Sequence, residues 1–228
     1  MMNYTLSSSY GSVVAAPADV RADFIRKVYS LFFLSVLVTV AVGWFCAQPS
    51  VAPELLAALP ALLIGELVCI LVLAFARRTS GLNVFLLYLF AAIQGAIFGP
   101  VLTMVNRVAP GIPAEAAILT ATVFGGLTLY AIQSKRDFSF LGGFLFVGLL
   151  ALIVTGIVLF FVHAALLQTL YTFGGVLIFS GYVLYDTSLI MQKLGPNDTV
   201  TGAINLYLDL INLFWFILRL LLEFNRRS

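Results

Sequence analysis

The sequence predicts an all-α integral membrane protein with seven transmembrane helices, and three observations carry that prediction. Residues of the set AVILMFWYC make up 62% of the 228-residue chain, well above the roughly 45–50% of soluble domains. Only 10% of the residues are charged and the mean hydropathy is +1.09, so most side chains must meet lipid or other membrane segments. The apolar residues also gather into long charge-free runs of about twenty residues, which as helix cross ~30 Å of hydrocarbon. Continuous runs exclude the alternating pattern of a membrane barrel, and an open sheet would leave its backbone unpaired in lipid.

Taken in order, the first span covers residues 28–47, which follow Lys27 and carry no charge. Residues 55–76 form a second span holding only Glu66 and ending at Arg77 and Arg78. The third, 81–106, is uncharged and includes Gly99-Pro100; the fourth covers 116–134. Residues 138–185 lack Asp, Glu, Lys and Arg and are too many for one crossing, so they make two spans turning around residues 163–168. A seventh covers 199–218 and is interrupted by Asp209. Residues 1–20, rich in Ser and Ala, read as a flexible polar N-terminus, and 21–228 as a single transmembrane domain. The N-terminus lacks a basic stretch running directly into an apolar one, so the first span is expected to be retained.

Charge placement orients the chain. The N-terminal flank and every second turn thereafter hold Arg21, Arg26, Lys27, Arg77, Arg78, Lys135, Arg136 and Lys193; the opposite side holds Arg107, Arg226 and Arg227. Eight against three puts the N-terminus in the cytoplasm by the positive-inside rule, with the tail arginines in tension with it. A net charge of +2, scattered, excludes a nucleic-acid surface. Cys46 and Cys69 stand alone in apolar stretches and read as small hydrophobes, and His163, the single histidine, makes no metal site.

Function is expected where ionisable groups lie in the membrane, because each costs a few kcal/mol there. Glu66, Asp186 and Asp209 qualify. Asp186 and Asp209 flank the turn at Pro196-Asn197-Asp198, which puts the two carboxyls at matching depth on antiparallel neighbours. Close together in a low dielectric they cannot both ionise cheaply, so the pair is expected to hold a proton. On the last helix Asn205, Asp209, Asn212, Arg219 and Glu223 fall within an arc of about 80°, a polar stripe that must face protein or water. Arg77 lies eleven residues after Glu66, about 16 Å along the helix, at the level expected for the pair; it is either their counter-ion or, like Arg78, a simple interfacial anchor. Tyr182 and Tyr185 place hydroxyls beside Asp186. Ala91, Gly95 and Gly99 recur every four residues and would admit another helix closely.

RKVYSLF entering the first span, GAIFGP on the third, GYVLYDTSLIM on the sixth and LYLDLINLFWFILRLL on the seventh resemble the transmembrane Bax-inhibitor-motif family, over nearly the whole chain from about Arg21. The resemblance implies six helices around a central seventh and a pH-sensitive calcium leak governed by an aspartate pair, matched here by Asp186 and Asp209. It further implies an arginine latch, matched by Arg77, and an acidic residue on the second helix, matched by Glu66. Asn205, Asn212, Tyr182 and Arg219 are supporting polar groups.

Calcium is then the transported ion and no cofactor is expected, since calcium prefers six to eight oxygens and the pair with a few neighbours offers only weak contact. Two other classes stay open on the residues. One is a non-conducting regulator that binds another membrane protein, such as a protease. The other is an intramembrane aspartyl protease, which Leu206-Tyr207-Leu208 before Asp209 disfavours because such proteases carry GxGD there. A retinal receptor is excluded because no Lys follows Lys193. The expected partners are therefore the bilayer, calcium and protons, with or without a membrane-protein partner and without nucleic acid. Short loops point to a bacterial inner membrane.

Overall fold

The computed structural model describes residues 11–76, 79, 81–162 and 164–226, and among them every regular element is helical. Eight α-helices follow one another, seven of them long and apolar enough to cross a membrane.

Helix α1, Ala18–Cys46, starts ten residues upstream of the charge-free run. Pro17 precedes its first turn, Asp19 lies within that turn, and Lys27 pairs with Asp23 at 2.7 Å, so the charged stretch is a solvated helical extension of the span. The expected second span, 55–76, is broken. A short α2, Ala52–Ala57, precedes α3, Leu59–Ala76. Pro60 explains the break, because it has no N–H to give and its ring collides with the carbonyl one turn back, at Leu56. Hydrophobicity alone cannot reveal this, since proline interrupts a helix without interrupting an apolar run.

Helix α4, Leu82–Val108, begins after Gly81 (φ 81°) and carries Pro100 without interruption. Helix α5, Ile112–Ser134, is entered through Gly111 (φ 87°) and left through Lys135, whose φ of 53° turns the chain sharply. A 3-10 turn, Ser139–Leu141, leads into α6, Gly142–Phe161. Helix α7, Ala165–Gln192, resumes at once, so of the turn expected around residues 163–168 the last four, 165–168, are helical instead; His163 itself lies outside the described residues. Helix α8, Thr199–Asn225, runs seven residues past the expected end of the last span. Half of the central window of α4 and of α8 is buried, against 11% in α6, so α6 is the helix most given over to lipid.

The chain divides into two compact units. Residues 17–110 and 196–207 form the first. Within it α1 and α4 meet backbone to backbone: a Cβ on Gly95 would stand 2.6 Å from the carbonyl oxygen of Thr39, and one on Gly99 would overlap that of Gly43. The expected small-residue stripe thus serves close packing, with Gly43 as its counterpart on α1. Beside it the Thr39 hydroxyl reaches the Ala91 carbonyl at 3.0 Å and the Tyr207 hydroxyl at 2.6 Å, while the fully buried Tyr207 ring meets Phe90 edge-on at 5.8 Å.

The second unit comprises α5, α6, α7, residues 208–225 of α8 with Arg226 after it, and residues 11–16. A 3-10 turn at Val13–Ala15 docks on the end of α7, with Val13 fully buried and its N–H donating to the Leu194 carbonyl at 2.8 Å. The loop after α5 is clamped to α7. The Ser188 hydroxyl accepts from the Phe138 N–H at 2.9 Å, the Gln192 amide donates to the Arg136 carbonyl at 2.8 Å, and Lys193 pairs with Asp137 at 2.8 Å.

Candidate functional site: a buried aspartate pair

Asp186 lies six residues before the end of α7 and Asp209 ten residues after the start of α8. The turn between the helices, 193–198, begins seven residues after Asp186 and ends eleven residues before Asp209, so what brings the carboxyls together is the packing of α7 against α8 and not an equal distance from the turn. Both side chains belong to the second unit, both are buried, and the carboxyl of Asp209 is within hydrogen-bonding reach of that of Asp186. A hydrogen bond between two carboxyl groups requires a proton on one of them. The outer oxygen of Asp209, Oδ2, is also buried and has no hydrogen-bond partner among the described residues. Such a group carries a desolvation cost that a stable apolar core would avoid.

The surroundings are aromatic and largely apolar. Tyr182, one turn before Asp186, is close enough to interact electrostatically with both carboxyls, and Tyr185 with Asp186. Their rings meet edge-on at 6.3 Å; Tyr182 also contacts Phe179, which stacks on Phe216 at 5.6 Å. Gly142 lets the start of α6 reach Tyr185, since a Cβ there would stand 3.0 Å from its ring. Thr187 and Ser188 are buried directly after Asp186, and Ser188 ties this turn of α7 to the loop at 136–138. Oxygen donors are few: among the described residues no three His, Cys, Asp or Glu side chains gather as a metal site.

The other polar residues of the last helix do not form one continuous ladder. Asn212 donates to the Leu208 carbonyl of its own helix at 2.8 Å, Glu223 accepts from Thr172 at 2.7 Å, and the Arg219 guanidinium lies over the Tyr171 ring at 5.2 Å. Asn205 is half-buried in the first unit, as is Glu66, which accepts from Gln94 at 2.8 Å. Arg77 and Arg78 lie outside the described residues. Sequence reasoning passed over Gln94, Thr39, Thr172 and Ser188. Gln94 carried a usable signal, an amide inside an uncharged run next to the glycine stripe; the Thr and Ser residues, able to bond their own helix backbone, carried none.

The family model described as Inhibitor of apoptosis-promoting Bax1 matches residues 21–226. The chain belongs to the Bax-inhibitor family. Among Bax-inhibitor relatives, Protein lifeguard 4 of Mus musculus is 36% identical over 224 residues, covering 96% of this chain and 93% of its own length. Golgi anti-apoptotic protein of Vaccinia virus (strain Lister) is 35% identical over the same length, with the same coverage. Inner membrane protein YbhL of Escherichia coli (strain K12) is 29% identical over 225 residues, covering 92% of this chain and 94% of its own. None of these three names describes an enzyme. Family membership and seven apolar helices together make this an integral membrane protein.

Proposed function

We propose that this Bax-inhibitor protein is a pH-gated leak for calcium, with Asp186 and Asp209 as proton sensor and weak ion contact. The observation that supports the reading is the buried contact between the two carboxyls, with one Asp209 oxygen unpartnered among the described residues. Intramembrane acids are functional by default because their burial otherwise only costs free energy. A pair holding one proton carries one negative charge, which attracts a cation; adding a second proton removes the charge, and removing the first sets two anions against each other. Two carboxylates and a tyrosine hydroxyl are too few oxygens for tight calcium binding, and weak contact is what allows transit. The counter-ion we assign is Arg77, which would hold the ionised pair and release the neutral one; flux then rises on acidification and falls again once the pair is fully neutral. We also assign the N-terminus to the cytoplasm, in a bacterial inner membrane.

Vesicles holding only the purified protein and a calcium dye test this. Flux above that of protein-free vesicles is expected, with a peak at mildly acidic pH, and Asp186→Asn and Asp209→Asn should each flatten the profile. A wild-type pH profile in Asp209→Asn would sink the shared-proton reading. Arg77→Ala should keep flux high at alkaline pH while Arg78→Ala leaves the profile intact; the reverse result moves the counter-ion to Arg78. A second reading is favoured by the name of the viral relative, an anti-apoptotic protein: a regulator acting on other membrane proteins without conducting. Folded protein that carries no calcium would select it.

A further inference from the structure

Independently of any calcium flux, the second unit carries a groove that nothing in the aspartate chemistry uses. It has a volume of about 630 Å³ and lies between α6, α7 and α8, lined by Leu149, Gly156 and Phe161 of α6, Tyr171 and Phe179 of α7, and Phe216 of α8. Its outer wall is the lipid side of α6, where Ile153 and Ile157 are exposed. Gly156 keeps the groove open at the level of Tyr171, because any side chain there would begin 3.3 Å from the tyrosine hydroxyl.

The groove has a depth and a polarity. Leu149 and Phe161 are twelve residues apart on one helix, about 18 Å, slightly more than half of the ~30 Å hydrocarbon layer. It starts at the membrane boundary, where α6 ends at Phe161, and runs inward for about one leaflet. Beside the groove stands a cation: Arg219, six residues before the end of α8, is exposed, lies over the ring of Tyr171 and forms no ion pair among the described residues. The nearest acid on the same helix face, Glu223, accepts from Thr172 through Oε1, while its Oε2 is buried with no hydrogen-bond partner among the described residues. At the inner end the only amide, Asn212, donates to its own helix backbone and asks little of a ligand. A cation able to snorkel to the surface beside an apolar slot one leaflet deep is complementary to an anionic lipid. We infer that the groove between α6, α7 and α8 is a binding site for an anionic phospholipid of the surrounding bilayer, its phosphate on Arg219 and one acyl chain in the slot.

The test uses the whole protein in phosphatidylcholine nanodiscs doped with chain-spin-labelled phosphatidylglycerol or chain-spin-labelled phosphatidylcholine, reading the motionally restricted fraction. Phosphatidylglycerol should be favoured by about five-fold, the effect of one basic residue near a membrane surface. Arg219→Gln should abolish the preference and Arg219→Lys should keep it, while Arg226→Gln, which removes an exposed charge two turns beyond Arg219, should leave it unchanged. Ile153→Trp, filling the slot from its lipid side, should lower the restricted fraction of both lipids. Equal restriction of the two lipids by the wild type overturns the site, as does a preference that survives Arg219→Gln or is lost equally in Arg226→Gln. Matching thermal unfolding of the variants excludes misfolding as the cause.

Discussion

Asp137 shows what one residue outside the membrane contributes. Hydrogen bonds from Lys193 and then from Ser139 hold its carboxyl at a pKa of about 2, below the ordinary 3.8. A depressed value means that the interaction stabilises the fold fully above pH 3.8 and is lost as pH falls through about 2, so it is constant throughout the neutral range and takes no part in pH sensing. Lys193→Ala should return the Asp137 titration toward 3.8, read from its carboxyl carbon by NMR; an unmoved titration would mean that Ser139 alone holds it. In the first unit, Tyr207→Phe removes the hydroxyl that meets Thr39 and should cost about 1 kcal/mol. Thermal unfolding in detergent would show that as a modestly lowered midpoint, because Thr39 keeps its bond to the Ala91 carbonyl.

At the scale of elements the two glycine environments predict opposite outcomes. Gly99 lies against the backbone of α1, so Gly99→Leu must push α1 and α4 apart at a cost of about 1–3 kcal/mol or more. Gly65, in the middle of α3, has no neighbour within 4 Å of where a Cβ would stand, so Gly65→Ala should stabilise by about 0.5–1 kcal/mol. Comparing the two midpoints by thermal unfolding checks both signs at once. The helices themselves were legible in the sequence to the extent that charge marks a membrane boundary. That rule found α4 to within two residues at either end, and misplaced the start of α1, because Asp19, Asp23, Arg26 and Lys27 sit comfortably in a helix that protrudes from the bilayer. It also missed the break before α3, where the punctuation is a proline rather than a charge.

For the whole molecule, the candidate site was legible because it depends on counting. Asp186 and Asp209 are the acids that stand beside or within the charge-free runs of the last two spans, on either side of a recognisable turn. The partners of Glu66 and Glu223 were not legible, since Gln94 and Thr172 come from helices whose rotation no single sequence reveals. The same limit applies to Arg219, whose place over Tyr171 depends on how α7 and α8 are turned.

The contact of Gly43 with Gly95 and Gly99 leaves no side chain between two backbones, and therefore nothing that can repack by rotamer when the protein changes state. Helices α1 and α4 consequently travel as one body. Cysteines placed at the lipid-exposed positions Leu37 and Phe85 would carry a pair of spin labels whose separation stays constant from alkaline to acid pH, while the native Cys46 and Cys69 are buried and label poorly. That constant separation is a built-in ruler, against which movement of any other helix can be calibrated within the same molecule.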